Sequence, residues 1–148
     1  MDYSKQYEEG KNEIQKSEAY NNCNIWRKRY LSENGNQIRN WAGIILNIST
    51  NQGGDVAWIT IRAKSNDFTI DYETSNNGFS DIGIGSQIKK GSAVYRQIWE
   101  LTEGDAVLFS GEFIKDEKRG IKEISMTEYG CINNPEFIVR FSEVKRFY

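Results

Sequence analysis

The sequence predicts a mainly β domain: a five-stranded barrel with one helix between its third and fourth strands, behind a helical N-terminal extension. Three observations predict it. Residues 56–64 and 68–72 alternate apolar with polar side chains, the period of a half-buried strand. Gly43 and Gly111 lie inside strand-like runs, where glycine weakens a sheet unless the strand must coil sharply, as in a small closed barrel. Three strand-like runs, a helix and a hairpin then follow in that order.

Residues 1–34 read as helix, either continuous or broken near Asn21, because Asn21, Asn22 and Asn24 favour caps and turns. Tyr20, Cys23, Trp26 and Tyr30 fall three or four apart and share a face, and Asn34-Gly35 is a good stop. A disordered leader, or a linker to a membrane anchor, is the alternative for residues 1–18. Trp41–Ile48 is an apolar, β-branched run that ends at the turn Asn51-Gln52-Gly53-Gly54-Asp55. In the next strand Ala57, Ile59, Ile61 and Ala63 take one face, and Val56, Trp58, Thr60, Arg62 and Lys64 the other. After Ser65-Asn66-Asp67, Phe68, Ile70 and Tyr72 share a face. A long Ser/Asn/Gly-rich loop covers 73–91.

Ser92 is a natural N-cap for a helix over 93–101 with the apolar stripe Val94, Ile98 and Leu101. Gly104 stops it. Two strands, 106–115 and 121–127, flank the charged turn 116–120, and the tail 135–144 has strand-like composition or forms a last helix. This order matches an OB-fold, the five-stranded, partly open Greek-key barrel; a two-layer α+β sheet is the rival. The expected organisation is a helical extension over 1–36 and an OB-fold domain over 37–148.

Several segments carry a resemblance. Asn40-Trp41-Ala42-Gly43, Phe79-Ser80-Asp81, and Ile88-Lys-Lys-Gly-Ser-Ala-Val-Tyr95 are three of them. Leu101-Thr-Glu-Gly-Asp-Ala-Val-Leu-Phe-Ser-Gly-Glu-Phe113 and Pro135-Glu-Phe-Ile-Val-Arg-Phe-Ser142 are the most distinctive. Over residues 38–143 the chain resembles a bacterial OB-fold family of the tRNA anticodon-binding-domain-like type, which includes lipoproteins classed as nucleic-acid-binding. The resemblance implies an OB-fold and relatives that are exported and lipid-anchored. It transfers no catalytic or ligand residue. The chain departs from the family pattern in two ways: it has no lipobox cysteine, and Tyr72-Glu-Thr-Ser-Asn-Asn77 replaces a tryptophan-bearing strand end.

Composition removes whole classes of chemistry. The 148 residues include no histidine and two cysteines, so Ser-His-Asp and Cys-His mechanisms, HExxH sites and Cys/His zinc modules are excluded. Cys23 and Cys131 can pair or stay free. No apolar run is long enough to span a bilayer, and the first residues lack the apolar stretch of a signal peptide. The expected location is periplasmic or cell-envelope if a leader has been removed, and cytoplasmic otherwise.

The aromatics (4 Trp, 8 Tyr, 7 Phe) supply the candidate binding residues. Trp58 offers a stacking platform, Arg62 and Lys64 offer phosphate contacts, and Tyr72 lies on the adjoining strand, an arrangement OB-folds use for single strands. Opposing this, Asp67, Asp71 and Glu73 border the two cations and favour cross-strand ion pairs, with Trp58 packed under the N-terminal helix. The net charge of −2 conceals a barrel region, 41–110, with five basic and eight acidic residues. The one dense basic run, Arg27-Lys28-Arg29, sits between Trp26 and Tyr30; those aromatics share a helix face, so the cations are expected in solvent. Asp71, Glu73 and Asp81 are the candidate oxygen ligands for a divalent cation, at no diagnostic spacing. Gly83-Ile-Gly85-Ser-Gln-Ile-Lys-Lys-Gly91 fits neither phosphate-loop pattern.

The resulting expectation is a non-enzymatic binding module without cofactor or metal. Its first form is a protein-interaction module of the bacterial cell envelope. Its second is a binder of single-stranded nucleic acid or oligosaccharide through Trp58, Arg62, Lys64 and Tyr72, disfavoured by the acidic barrel.

Overall fold

The computed structural model describes residues 2–65, 68–76 and 81–147. Asn66, Asp67 and the Phe79-Ser80 portion of one resemblance segment lie outside them. Eight strands and four helices occur among the described residues: α1 (Tyr3–Glu8), α2 (Glu13–Asn34), β1 (Gln37–Thr50), β2 (Val56–Ser65), β3 (Phe68–Glu73), β4 (Ile88–Lys89), α3 (Ala93–Ile98), β5 (Ala106–Phe113), β6 (Lys115–Asp116), β7 (Gly120–Ile121), α4 (Glu128–Asn133) and β8 (Glu136–Arg146).

The five long strands form a ring. β1 pairs antiparallel with both β2 and β5, so its 14 residues serve two neighbours. β2 pairs antiparallel with β3, β5 with β8, and the parallel pair β3–β8 closes the circuit. The two-residue β4 extends the edge of β2. Register breaks between Ile38 and Trp41, and between Ile45 and Asn47, bend β1 around the circuit. The expected coiling at glycine takes the form of close strand approach. A Cβ on Gly111 would run into the carbonyl of Arg140 on β8, and one on Gly43 would sit 2.5 Å from Ile61 Cγ2.

The alternation in β2 behaves as its residues require: Ala57, Ile59 and Ile61 are buried. They meet Ile45, Val107, Phe109, Val139 and Val144 in the ring's core. Ser92 caps α3 by accepting from the Tyr95 amide at 3.2 Å, and Val94 and Ile98 face inward. Gln97 on that helix accepts from the Val144 amide at 2.9 Å, fixing α3 to β8.

Three sequence expectations are corrected. The fifth strand of the ring is the tail, 136–146, rather than 121–127. There Gly120–Ile121 pairs with β6 and Glu123 makes one antiparallel bridge to Phe137 of β8; beyond it Glu123 accepts from the Ser125 and Glu136 amides, and Thr127 caps α4. The helical region breaks at 9–12 instead of near Asn21. Asn12 caps α2 by accepting from the Gln15 amide, and α2 then runs unbroken to Gly35. The buried stripe of α2 is Ala19, Cys23, Arg27 and Leu31 at four-residue spacing, with Asn24 beside it. Arg27, expected in solvent, is therefore inside. The backbone of α2 rests directly on Gly120, where a Cβ would lie 2.6 Å from the Lys28 amide nitrogen.

Candidate functional site

The outer face of β2 carries three of the predicted site residues, Trp58, Arg62 and Lys64, and the fourth, Tyr72, lies on β3. Register places Thr60 opposite Glu73, Arg62 opposite Asp71, and Lys64 opposite Thr69. Arg62 donates from Nε to Asp71 Oδ1 at 2.7 Å and from Nη2 to Oδ2 at 3.0 Å. This fork-to-fork pair uses the geometry that a phosphate would need. Lys64 is exposed. Trp58 is half-buried with its Nε1 sealed from solvent, so its ring is not an open platform. Tyr72 points the other way. It is 7% exposed, packs against Phe109 at 5.0 Å between ring centroids, and its hydroxyl is pushed up to about 12 by burial.

Parallel pairing of β3 with β8 adds a carboxylate that sequence reasoning did not place here. Asp71 lies opposite Glu136, and oxygens of Asp71, Glu73 and Glu136 fall within 4.8 Å of one another. Burial raises the Glu73 carboxyl to about 7, and the charges of Glu136 and Asp71 add to the rise. Glu136 is raised by burial first and by Asp71 second. These three are the candidate oxygen ligands for a cation, although Arg62 already engages both Asp71 oxygens. Asp81, the third member expected from the sequence, is elsewhere. Its carboxylate accepts from the Ser86 and Gln87 amides and the Ser86 hydroxyl, ordering the loop before β4.

A second region was not foreseen. Between the helices and the ring lies a chamber of about 570 Å³. Trp41, Phe68, Ile70, Tyr72, Phe113 and Phe137 line it from the ring. Cys23, Trp26, Arg27 and Tyr30 line it from α2, and Ile132, Asn133 and Pro135 from α4 and the residue before β8. The volume falls in the range typical of small-molecule pockets, and eight lining side chains are aromatic, beside the polar Asp2, Ser4, Arg27, Ser65 and Asn133.

The chamber's shape is set by polar ties as much as by packing. Arg27, 6% exposed, donates from Nη1 to Cys131 Sγ at 3.1 Å and from Nη2 to the Cys131 carbonyl at 2.6 Å. Its guanidinium carbon sits 5.0 Å from the Phe137 ring centroid. Thus α2 is locked to α4 and β8 through one cation. Ser17 donates to Glu128 at 3.1 Å, and Tyr7 meets Tyr129 edge-on at 6.2 Å, joining both helices of the extension to α4. Cys23 and Cys131 are free and buried, and burial lifts the Cys131 thiol to about 11 despite Arg27, so it is a poor nucleophile near neutrality.

Asn133 is the unusual lining residue. It is 4% exposed, and neither Oδ1 nor Nδ2 has a hydrogen-bond partner. Most buried polar groups in folded proteins are paired, and Asn133 is an exception whose two amide atoms have almost no accessible surface. The aromatic clustering of Trp41, Tyr72, Phe113 and Phe137 was visible in the sequence only as an aromatic surplus. Arg27 was signalled by its four-residue spacing from Cys23 and Leu31. Asn133 had no signal. No helix among the described residues is long and apolar enough to cross a membrane. No family model and no curated protein matches the chain.

Proposed function

We propose that the chain is a non-enzymatic binding module built on an OB-fold, and that its ligand enters the chamber between α2 and the ring. The OB-fold reading is supported by the strand circuit, β1–β2–β3–β8–β5–β1, closed by one parallel pair with a helix between β3 and β5. It also agrees with the resemblance carried by 101–113 and 135–142. The observation that carries the binding reading is an open chamber into which eight aromatic side chains converge from the helices and the ring. A protein partner of the cell envelope, the form expected from the resemblance, would use this site by inserting one side chain.

Nucleic acid across β2–β3 has less support. Arg62 is held by Asp71, Tyr72 faces the core, and Glu73 and Glu136 add acidity beside them. Phosphate contacts there would displace an existing ion pair and approach like charges.

Thermal melts with toluene, alongside anisotropy with a labelled oligothymidylate at low and moderate salt, test the choice. Toluene is expected to raise Tm in the native protein but not in Ile132→Trp, which fills the chamber. A salt-sensitive oligonucleotide complex that Trp58→Ala weakens, without any toluene effect, would overturn the proposal.

A further inference from the structure

Among the described residues two charged side chains line the chamber, Arg27 and Asp2. They stand in different surroundings. Asp2 is exposed and already engaged as the cap of α1, accepting from the Lys5 amide at 3.0 Å, so water screens its charge. Arg27 is 6% exposed, and among the described residues no carboxylate comes within ion-pair distance of it. Glu123, which lies near the Cys131 thiol, is committed to Arg119 and to the Ser125 and Glu136 amides. A buried cation ordinarily has an anionic partner, because its lost hydration must be offset by attraction to an opposite charge. Arg27 has instead the Phe137 ring and one residue, Cys131. A guanidinium carries five N–H donors; the Cys131 thiol and carbonyl take two, and the others, Nε–H among them, have no acceptor. Unlike the Asn133 atoms, Nε is not sealed away. An incoming carboxylate matches two of these N–H groups fork to fork.

The walls determine the rest of the molecule. Trp41, Phe68, Phe113 and Phe137 accept a flat ring by stacking or edge contact. An ammonium group would be drawn to the same rings but meets the like charge of Arg27. A phosphate dianion brings a second charge that one guanidinium does not match. A neutral ring fills the space and leaves Arg27 without an anion. We infer that the chamber is a site for a small aromatic monocarboxylate, its carboxylate paired with Arg27 and its ring held between the aromatic walls. This assignment rests on the chamber being the binding site, as proposed above. The guanidinium has already lost most of its hydration in the folded protein, so pairing demands desolvation chiefly of the ligand's carboxylate.

Equilibrium titrations with phenylacetate, phenethylamine, acetate and toluene test the inference on the intact chain. In the native protein, phenylacetate is expected to bind at least about tenfold more tightly than any of the other three. Arg27→Met keeps a long apolar stem and removes the charge; it is expected to reduce phenylacetate to the toluene level and leave toluene within about twofold. In a nitrogen-15 spectrum of the native protein, the Arg27 Nε–H signal is expected to move with phenylacetate and stay in place with toluene. That reading needs no variant and decides the question if Arg27→Met does not fold. Phenylacetate binding no better than toluene or phenethylamine, or acetate binding equally well, would overturn the inference while leaving the chamber as a binding site. So would an unchanged preference in folded Arg27→Met, or an Nε–H signal indifferent to phenylacetate. Failure of phenylacetate, phenethylamine and toluene alike to bind the native protein would overturn the chamber reading and this assignment with it.

Discussion

Replacing Glu73 with Gln is expected to make the protein more stable at pH 8 and to flatten its pH profile. Glu73 accepts from the Thr60 hydroxyl at 3.3 Å, and burial together with Glu136 and Asp71 holds its carboxyl at about 7 instead of 4.5. In the unfolded chain the group returns to its ordinary value. Between the two values the folded state binds more protons than the unfolded state. Stability therefore falls as pH rises through that window and levels off above the folded value. A difference of about 2.5 in pKa corresponds to at most about 3.4 kcal/mol. Partial exposure and sharing of the repulsion with Glu136 reduce the expected contribution to about 1–2 kcal/mol. Glutamine keeps an acceptor for Thr60 and has no charge to bury. Urea unfolding at pH 5 and pH 8 measures the effect: the native protein should lose that amount between the two, Glu73→Gln should lose much less, and the two proteins should converge at pH 5. A variant less stable than the native protein at pH 8, or one with an unchanged pH slope, would refute the reasoning.

Three further substitutions address the ring and the residues around the chamber. Gly111→Ala should cost about 3 kcal/mol or more, since its Cβ meets the Arg140 backbone, whereas Gly43→Ala should cost less because the first atom it meets is a side-chain methyl, Ile61 Cγ2, rather than backbone; chemical denaturation of the two variants side by side checks the order, and equal costs would contradict the register given for β5 and β8. Asn133→Leu without ligand should gain about 1–2 kcal/mol by removing two unpaired buried polar atoms, a Tm increase of about 2–8 °C. A loss of more than about 1 kcal/mol there would mean that the amide makes a structural contact.

Much of the ring was legible in the sequence because strand alternation is a local property. Ile59 and Ile61 against Thr60 and Arg62, or Val107 and Phe109 against Leu108 and Ser110, state their faces without reference to the rest of the chain. The segment 121–127 misled for the same reason. Ile121 and Ile124 fit a strand, but Glu123 is buried between them by Arg119, which donates to its carboxylate at 2.9 Å, and by two backbone amides. That arrangement depends on residues up to 13 positions away and has no periodic signature. Arg27 was misplaced because a cation beside two others reads as solvated; its partners, Cys131 and Phe137, lie more than a hundred residues downstream. The chamber was illegible altogether. Its existence depends on how α2 crosses the ring and where α4 sits, both tertiary consequences of contacts such as Gly120 against the helix backbone.

The four tryptophans provide a direct test of the central claim, that binding occurs in the chamber and not on the β2–β3 face. Trp26 and Trp41 line the chamber, Trp58 sits on β2, and Trp99 is 78% exposed at the end of α3. In a nitrogen-15 spectrum of the indole N–H signals, titration with toluene should move Trp26 and Trp41 saturably while Trp58 and Trp99 stay in place. Movement of Trp58 alone, or no saturable movement of Trp26 and Trp41, would contradict the account.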